Sequence, residues 1–456
     1  MSSALRAGIH LATRAPMMKR LSLCVIGGIL CVAAIAQGQT LRSETTWGGA
    51  GSDVAYGVAV DFDGSSYVTG ISDSFAVDQF GIPAQRIFLT RFAADGSLVW
   101  QRIWNGQTLS GGLRGPSVAL GANGAVFVSG RSVVNGNDAV VLKFDAFGNL
   151  IWERTWGGSQ SEDDNAVATD IDGSVYVAGT TTSFGPSSAG MFVVKLDANG
   201  SVLWQKIWDG AAGMAVAVAP DGSVYASGAA SRPDSIAEFD VVVIKLTSNG
   251  TLLWDRRYRA GDIVDPRGGM AASPDGSVVI GGAIQAPAGG GIVDIAALVV
   301  RIDANGNLLF DREWGGKSGD VSAGVSVSAN GAIHLAGTST SSGAGFQDAF
   351  VVRVRPDGKA DAAVTSGGAG FETGAGVGVA GDGTVVLAAT TTVPPPFILA
   401  DASRKLSRPH GTLAPAGGAL TDVAGTISSL GLGTTVTNGT TTFGGNFETA
   451  VVRFVF

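Results

Sequence analysis

Downstream of residue 36 the chain carries two histidines, His334 and His410, and no cysteine, so few kinds of chemistry are open to it. A Ser-His-Asp triad would need one of those two imidazoles. His334 occupies the slot that Tyr67, Phe127, Tyr176 and Tyr225 hold in corresponding segments, which reads as a filler of the core or of the seam between repeated units. His410 lies in a Pro-flanked loop, and no GxSxG elbow surrounds a serine. Thiol chemistry and Cys or His metal clusters are excluded by composition. No catalytic residue is therefore assigned.

The acids offer more. Asp53, Asp163, Asp164 and Asp320 precede one set of strand-like segments, and Asp138, Asp240 and Asp348 precede another. Gathered on one face, they would suit Ca²⁺ or a cationic ligand, which makes the first four the candidate binding residues. The competing role is local, because Asp in such loops commonly caps its own backbone. The densest run, Glu162, Asp163 and Asp164, lacks the alternate-position acids of a calcium loop, and DFDG (61–64) and DIDG (170–173) become APDG, SPDG and SANG elsewhere. Calcium is thus the one cofactor left open, and no metal ligand is assigned. A recurring base (Arg91, Lys143, Lys195, Lys245, Arg301, Arg353, Arg453) is expected to pair with the acid or amide after each outer Trp, such as Glu153 or Asp255.

What must position these residues is a repeat. Trp100, Trp152, Trp204, Trp254 and Phe310 follow one another at 52, 52, 50 and 56 residues. Trp47, Trp104, Trp156, Trp208, Tyr258 and Trp314 keep step with them. A fixed period near fifty is a repeat architecture. Glycine, 69 of 456 residues, stands at about twice its usual ~7% and accompanies Val, Thr, Ser and Ala, which favours short strands and tight turns. One unit reads NAVATDIDGS (165–174), VYVAGTTTS (175–183), GMFVVKLDANGS (190–201) and VLWQKIWDG (202–210): four strands with a DG turn in the first hairpin and an NG turn in the last.

Second strands recur as SSYVTG (65–70), AVFVSG (125–130), SVYVAG (174–179), SVYASG (223–228), SVVIGG (277–282), AIHLAG (332–337) and TVVLAA (384–389), with GTTVTNGT (433–440) as a degenerate eighth. The expected fold is all-β, a β-propeller of about eight four-stranded blades with seven as the alternative, spanning residues 41–456. Its first strands, rich in Gly and Ala as in GMAVAVAP (213–220), belong innermost, and the Trp strands outermost. The opening LRSETTWGG (41–49) is an outer-strand sequence and the closing AVVRFVF (450–456) a third-strand one, so the two ends should complete one blade together.

Segments such as TWGGSQSEDDNAVATDIDGSVYVAGTT (155–181) and FVVKLDANGSVLWQKIWDG (192–210) resemble the SBBP-type propeller repeats of exported bacterial proteins. The resemblance covers the chain beyond residue 40 and implies a propeller. It implies no shared chemistry, and its name implies seven blades where eight units count here.

Lys19 and Arg20 before the apolar run Leu21–Ala36, closing on Ala34, Ile35 and Ala36, read as a signal peptide at 1–36, with an uncleaved anchor as the alternative. Its removal takes Arg6, Arg14, Lys19 and Arg20 from the 30 bases, leaving 26 against 38 acids, a balance of −12. Nucleic acid and acidic membranes are poor partners for such a chain. The variable segments 72–85, 131–137, 181–190, 229–239, 283–293 and 339–347 should share one face. The function expected is a secreted, periplasmic or extracellular monomeric scaffold that binds a glycan, peptide or surface protein there. The alternative is an enzyme on the same fold, a lyase, glycosidase or quinoprotein; GNLIW (148–152) is similar to the Gly-turn-Trp ending of quinoprotein blades, although their cysteine pair is absent.

Overall fold

The computed structural model describes residues 24–26, 29–31 and 39–456, apart from 79, 109–114, 134–135, 188, 233, 261–262, 288–292 and parts of 395–445. The leader expected at 1–36 lies almost wholly outside these. Among the described residues no helix is long and apolar enough to cross a membrane.

Seven antiparallel sheets form the blades of a propeller. Blade 1 runs Asp53–Val60, Ser66–Ser72, Arg86–Phe92 and Leu98–Gln107. Blades 2 to 6 repeat this order within 117–157, 162–209, 212–259, 263–314 and 320–367. Blade 7 is composite: Glu372–Val379 and Val385–Thr391 are followed by Glu448–Val455 from the end of the chain and Thr40–Trp47 from its beginning. Thr45 lies opposite Val451, and Val452 opposite Leu387, so strands from early and late in the chain share one sheet with no open edge between them.

The count of eight is therefore corrected to seven, the stated alternative. Of the segment 433–440 expected as an eighth second strand, the described residues Thr434 and Thr435 pair instead with Trp104 and Ile103 on the outer edge of blade 1. They end a belt. After Thr391 the chain lays Ile398–Asp401 along the outer strand of blade 6, and Gly411 donates to Asp311 of blade 5 (2.8 Å). Thr412–Ala414, Leu420–Asp422 and Thr426–Ser428 then pair with the outer strands of blades 4, 3 and 2. The belt thus runs round the rim against the blade order before the chain re-enters blade 7. Its β-branched residues, Gly and Asn give the same sequence signal as a blade strand, because it pairs as one. It also covers outer edges that would otherwise be open to aggregation.

Among the described residues the buried apolar side chains gather into seven clusters, one in each gap between neighbouring blades. The gap between blades 2 and 3 holds Phe127, Val141, Trp156, Val177 and Phe192, with the Trp156 and Phe192 rings 4.6 Å apart. Full burial of side chains this size contributes about 1.5–3 kcal/mol each, so the gaps supply most of the cohesion that disulfides cannot.

Polar rivets tie each blade to the next. Trp152 Nε1 and Lys143 Nζ both donate to the carbonyl of Ala198 in the following blade's turn (3.1 and 2.7 Å). Trp204 and Lys195 share Ser248 O in the same way (3.0 and 3.2 Å), and Trp254 and Lys245 share Ala304 O (3.0 and 3.1 Å). The Lys195 and Lys245 ammonium groups also stand 4.9 and 5.1 Å over the Tyr176 and Tyr225 rings. The expected pairing of these bases with Glu153 or Asp255 is not what forms. Glu153 instead accepts from Trp104 Nε1 (2.8 Å) and Asp255 from Gly417 of the belt (2.8 Å). The bases lie near the turn end of their strands, within reach of carbonyls already exposed by the next blade's turn.

Candidate functional site

The two ends of the propeller differ. At one end every blade presents the same tight turns, closed by glycines in the left-handed region such as Gly64, Gly173, Gly222 and Gly276. Asp63, Asp172, Asp221 and Asp275 cap these turns through the backbone N–H two residues on. At the other end lie the connections into each first strand and those between second and third strands. In two of the segments expected as loops there, 229–239 and 283–293, the described residues extend the hairpins of Val224–Arg232 with Ser235–Leu246 and of Val278–Pro287 with Val293–Ile302.

The candidate acids lie at this loop end. Asp53 and Asp320 are fully buried and close their own connections: Asp53 Oδ2 accepts from Gly49 N (2.8 Å) and Ser74 Oγ (2.7 Å), and Asp320 Oδ2 from Gly316 N (2.8 Å) and Ser341 Oγ (2.6 Å). Burial raises the Asp53 carboxyl above the usual range against the pull of these donors. Glu162 and Glu372 do the same in blades 3 and 7, through Gly158 N and Gly368 N (both 2.9 Å). Asp163 is paired with Arg131 of blade 2 (2.7 Å). Asp164 pairs through its backbone with Gly179, and its side chain lies outside the described residues. The four candidates are spread over blades 1, 3 and 6, and among the described residues no three His, Cys, Asp or Glu side chains converge to hold a metal.

The third-strand acids sit against the connection into the next blade. Asp138 and Glu162 both occupy the space a Cβ on Gly157 would need, as Asp348 and Glu372 do at Gly367. Asp138 is pushed up to about 6 by burial and by the charge of Glu162. Asp240 is the contrast, fully buried among Arg232, Arg257 and Arg259. His334 is buried beside Phe456 and held down to about 4 by burial and by Arg353, in keeping with a packing role.

The first strands line a central channel that opens at the loop end into a cavity of about 640 Å³. Most of its wall is Gly, Ala and Val. Each first strand of blades 1, 3, 4, 6 and 7 carries a bulge at one height, at Tyr56, Asn165, Met214, Ala323 and Ala375. Bulges re-aim side chains and concentrate near functional sites. In blade 5 the bulge widens to a break: Ile263–Asp265 and Met270–Ala272 pair on either side of Pro266–Gly269. Pro266 has no N–H for the ladder, and a Cβ on Gly268 would fall 2.2 Å from Ser322 Oγ, so only glycine fits there. The break leaves Arg267 exposed in the channel, with its Nε 2.6 Å from Asp265 Oδ2 and its backbone N 3.1 Å from Oδ1. Arg267 is the one charged side chain among the described residues of this wall.

Tyr56 lines the wall from blade 1, its phenol raised by burial, and Phe447 lines it from beside Ser52, its carbonyl accepting from Asp53 N (2.8 Å). Sequence reasoning passed over Tyr56 and Arg267. The signal was present in DIVDPRGGMAAS (262–273), where Pro and Gly-Gly interrupt what is an even run of small residues in other copies.

No family profile matches the chain, and no curated protein matches it. Among solved structures it is similar to the polysaccharide lyase Uly1, at 10% identity and a TM-score of 0.45 over 80% of this chain and 98% of the other. It is similar to the Dos1 propeller at 11% and 0.42, over 75% and 93%. A protein of unknown function from Dyadobacter fermentans gives 12% and 0.40, over 83% and 100%. At these values the likeness carries no argument about activity.

Proposed function

We propose that the chain is an SBBP-type repeat propeller, exported after loss of residues 1–36, that works as a monomeric scaffold binding a glycan, peptide or surface protein through its loop end. The observation that carries this reading is the asymmetry of the two ends. The turn end repeats one Asp-capped design with little variety to distinguish ligands. The loop end carries the open channel and connections of different length. Variable loops on a rigid frame are where recognition is usually built.

The test uses the protein beginning at Gln37 as bait for a cell-surface fraction and a glycan array. Replacing residues 76–83 and 185–188 by Gly/Ser linkers should abolish capture of a partner held by the outer loops and leave the melting temperature within a few degrees, since loop closure costs little. Asp221→Asn at the turn end should lower stability by about 1 kcal/mol and spare capture. Capture that survives the loop exchange and any change at the channel mouth, but fails with Asp221→Asn, would overturn the proposal.

A further inference from the structure

We infer that the loop-end mouth of the central channel is a site for a neutral saccharide of one or two rings, recognised by Arg267 and Tyr56. This rests on the scaffold reading above and names the ligand class of one part of that face. The cavity, about 640 Å³, falls within the range of small-ligand pockets. Its wall combines apolar Val and Ala surface with a few polar groups: Tyr56, Ser117, Arg267 and the exposed Thr373.

Arg267 decides the chemistry. Asp265 grips the guanidinium from its own strand, which fixes its plane and offsets its charge. Such a pair is locally neutral and still offers oriented N–H donors with an acceptor beside them, the combination that matches a pair of adjacent sugar hydroxyls. An anionic ligand would have to displace or lie beside Asp265, on a chain whose net charge is already −8. Across the channel, Tyr56 and Phe447 supply aromatic surface for the C–H face of a sugar ring, and the Tyr56 hydroxyl adds a hydrogen-bonding group.

Placement argues for use as well as capacity. The blade 5 strand gives up regular pairing over Pro266–Gly269, where the other first strands lose one residue or keep the ladder. Arg267 is what that break delivers to the channel, and with the side chain about half exposed it buries little that would offset the lost pairing.

The experiment is saturation-transfer NMR and calorimetry on the full chain. Probes are the methyl glycosides of glucose, galactose, mannose and N-acetylglucosamine, their β-1,4-linked and α-1,4-linked disaccharides, and glucuronate and galacturonate as the anionic arm. At least one neutral probe should bind. Its affinity should fall about tenfold or more in Arg267→Ala and in Tyr56→Ala, and by less in Tyr56→Phe, with thermal unfolding showing that each variant is folded. Arg267→Lys, which keeps the charge and loses the planar donor pair, should behave as the alanine variant does.

Three results would overturn the inference: no neutral probe binds the folded protein, the uronates bind and the neutral probes do not, or binding survives both Arg267→Ala and Tyr56→Ala. The wider scaffold reading fails separately. A partner lost on exchange of 76–83 and 185–188, with the neutral probes failing to bind the parent or binding Arg267→Ala and Tyr56→Ala unchanged, would sink this site and keep that reading. A footprint on the turn end would sink both.

Discussion

Asp138→Asn should stabilise the propeller at pH 8 and leave it unchanged at pH 4. Asp138 opens the third strand of blade 2 and faces Glu162, the buried acid that closes the connection into blade 3. Glu162 is supported by Gly158 N (2.9 Å) and Thr181 Oγ1 (2.7 Å), whereas Asp138 Oδ1 is buried without a hydrogen-bond donor. Arg131, on the paired strand opposite Ala139, is engaged by Asp163 (2.7 Å). The unsupported member of the pair holds the proton, and its carboxyl rises from 3.8 to about 6.

A shift of that size corresponds to roughly 3 kcal/mol at about 1.4 kcal/mol per unit, and partial exposure of Asp138 reduces it to about 1–2 kcal/mol. Because the folded state binds this proton more tightly than the unfolded chain, the stabilisation is complete below about pH 4 and lost as pH rises through about 6. Asparagine removes the charge and adds an N–H that can donate to Glu162. Urea unfolding at pH 4 and pH 8 should show the variant about 1–2 kcal/mol more stable at pH 8 and equal to the parent at pH 4. A variant less stable than the parent at pH 8, or shifted equally at both pH values, would refute the assignment of a shared, charge-crowded site.

Other consequences are as direct. Deleting residues 37–47 should remove an edge strand and the fully buried Trp47, lowering the melting temperature well beyond the effect of trimming a tail and promoting aggregation, which calorimetry and light scattering would register. Gly411→Val should loosen the belt, since a Cβ there would lie 2.3 Å from the Tyr258 ring, and limited proteolysis should then cut between 403 and 418 faster while the blades stay intact. Lys195→Met should cost about 1 kcal/mol in urea unfolding through the lost bond to Ser248 O, the lost ring contact with Tyr176 and the lost ion pair with the exposed Asp172 (4.0 Å).

Most of the fold was legible because it is written several times. Each copy places Asp-Gly or Asn-Gly where a glycine in the left-handed region closes a turn, and spaces its aromatic residues so that they meet between blades. The composite blade could be read from the two ends because LRSETTW keeps the outer-strand pattern and AVVRFVF the third-strand one. The belt could not. Its segments pair by backbone with outer strands, so TTVT (434–437) carries a strand signal with no mark of which edge it will join.

The candidate site was legible only in outline. Asp53 and Asp320 stood where expected, at the loop end, but the sequence alone could not decide between a ligand and the N–H of Gly49 or Gly316 as the carboxylate's partner. Tyr56 and Arg267 depend on where a bulge falls in an inner strand, and bulge position is a matter of register with a neighbouring strand that local sequence does not state.

The account depends on a single ring of seven blades closed by both ends of the chain, and a cross-link tests that most directly. With Cys24 and Cys31 replaced by serine, Thr45→Cys and Val451→Cys place two thiols on residues directly opposite each other in blade 7. Mild oxidation should give an intramolecular disulfide in the monomer, seen as a faster band without reductant, and should raise the melting temperature by holding the ring shut. A chain that stays reduced, or that links only between molecules, would contradict the closure on which the channel and the loop end both depend.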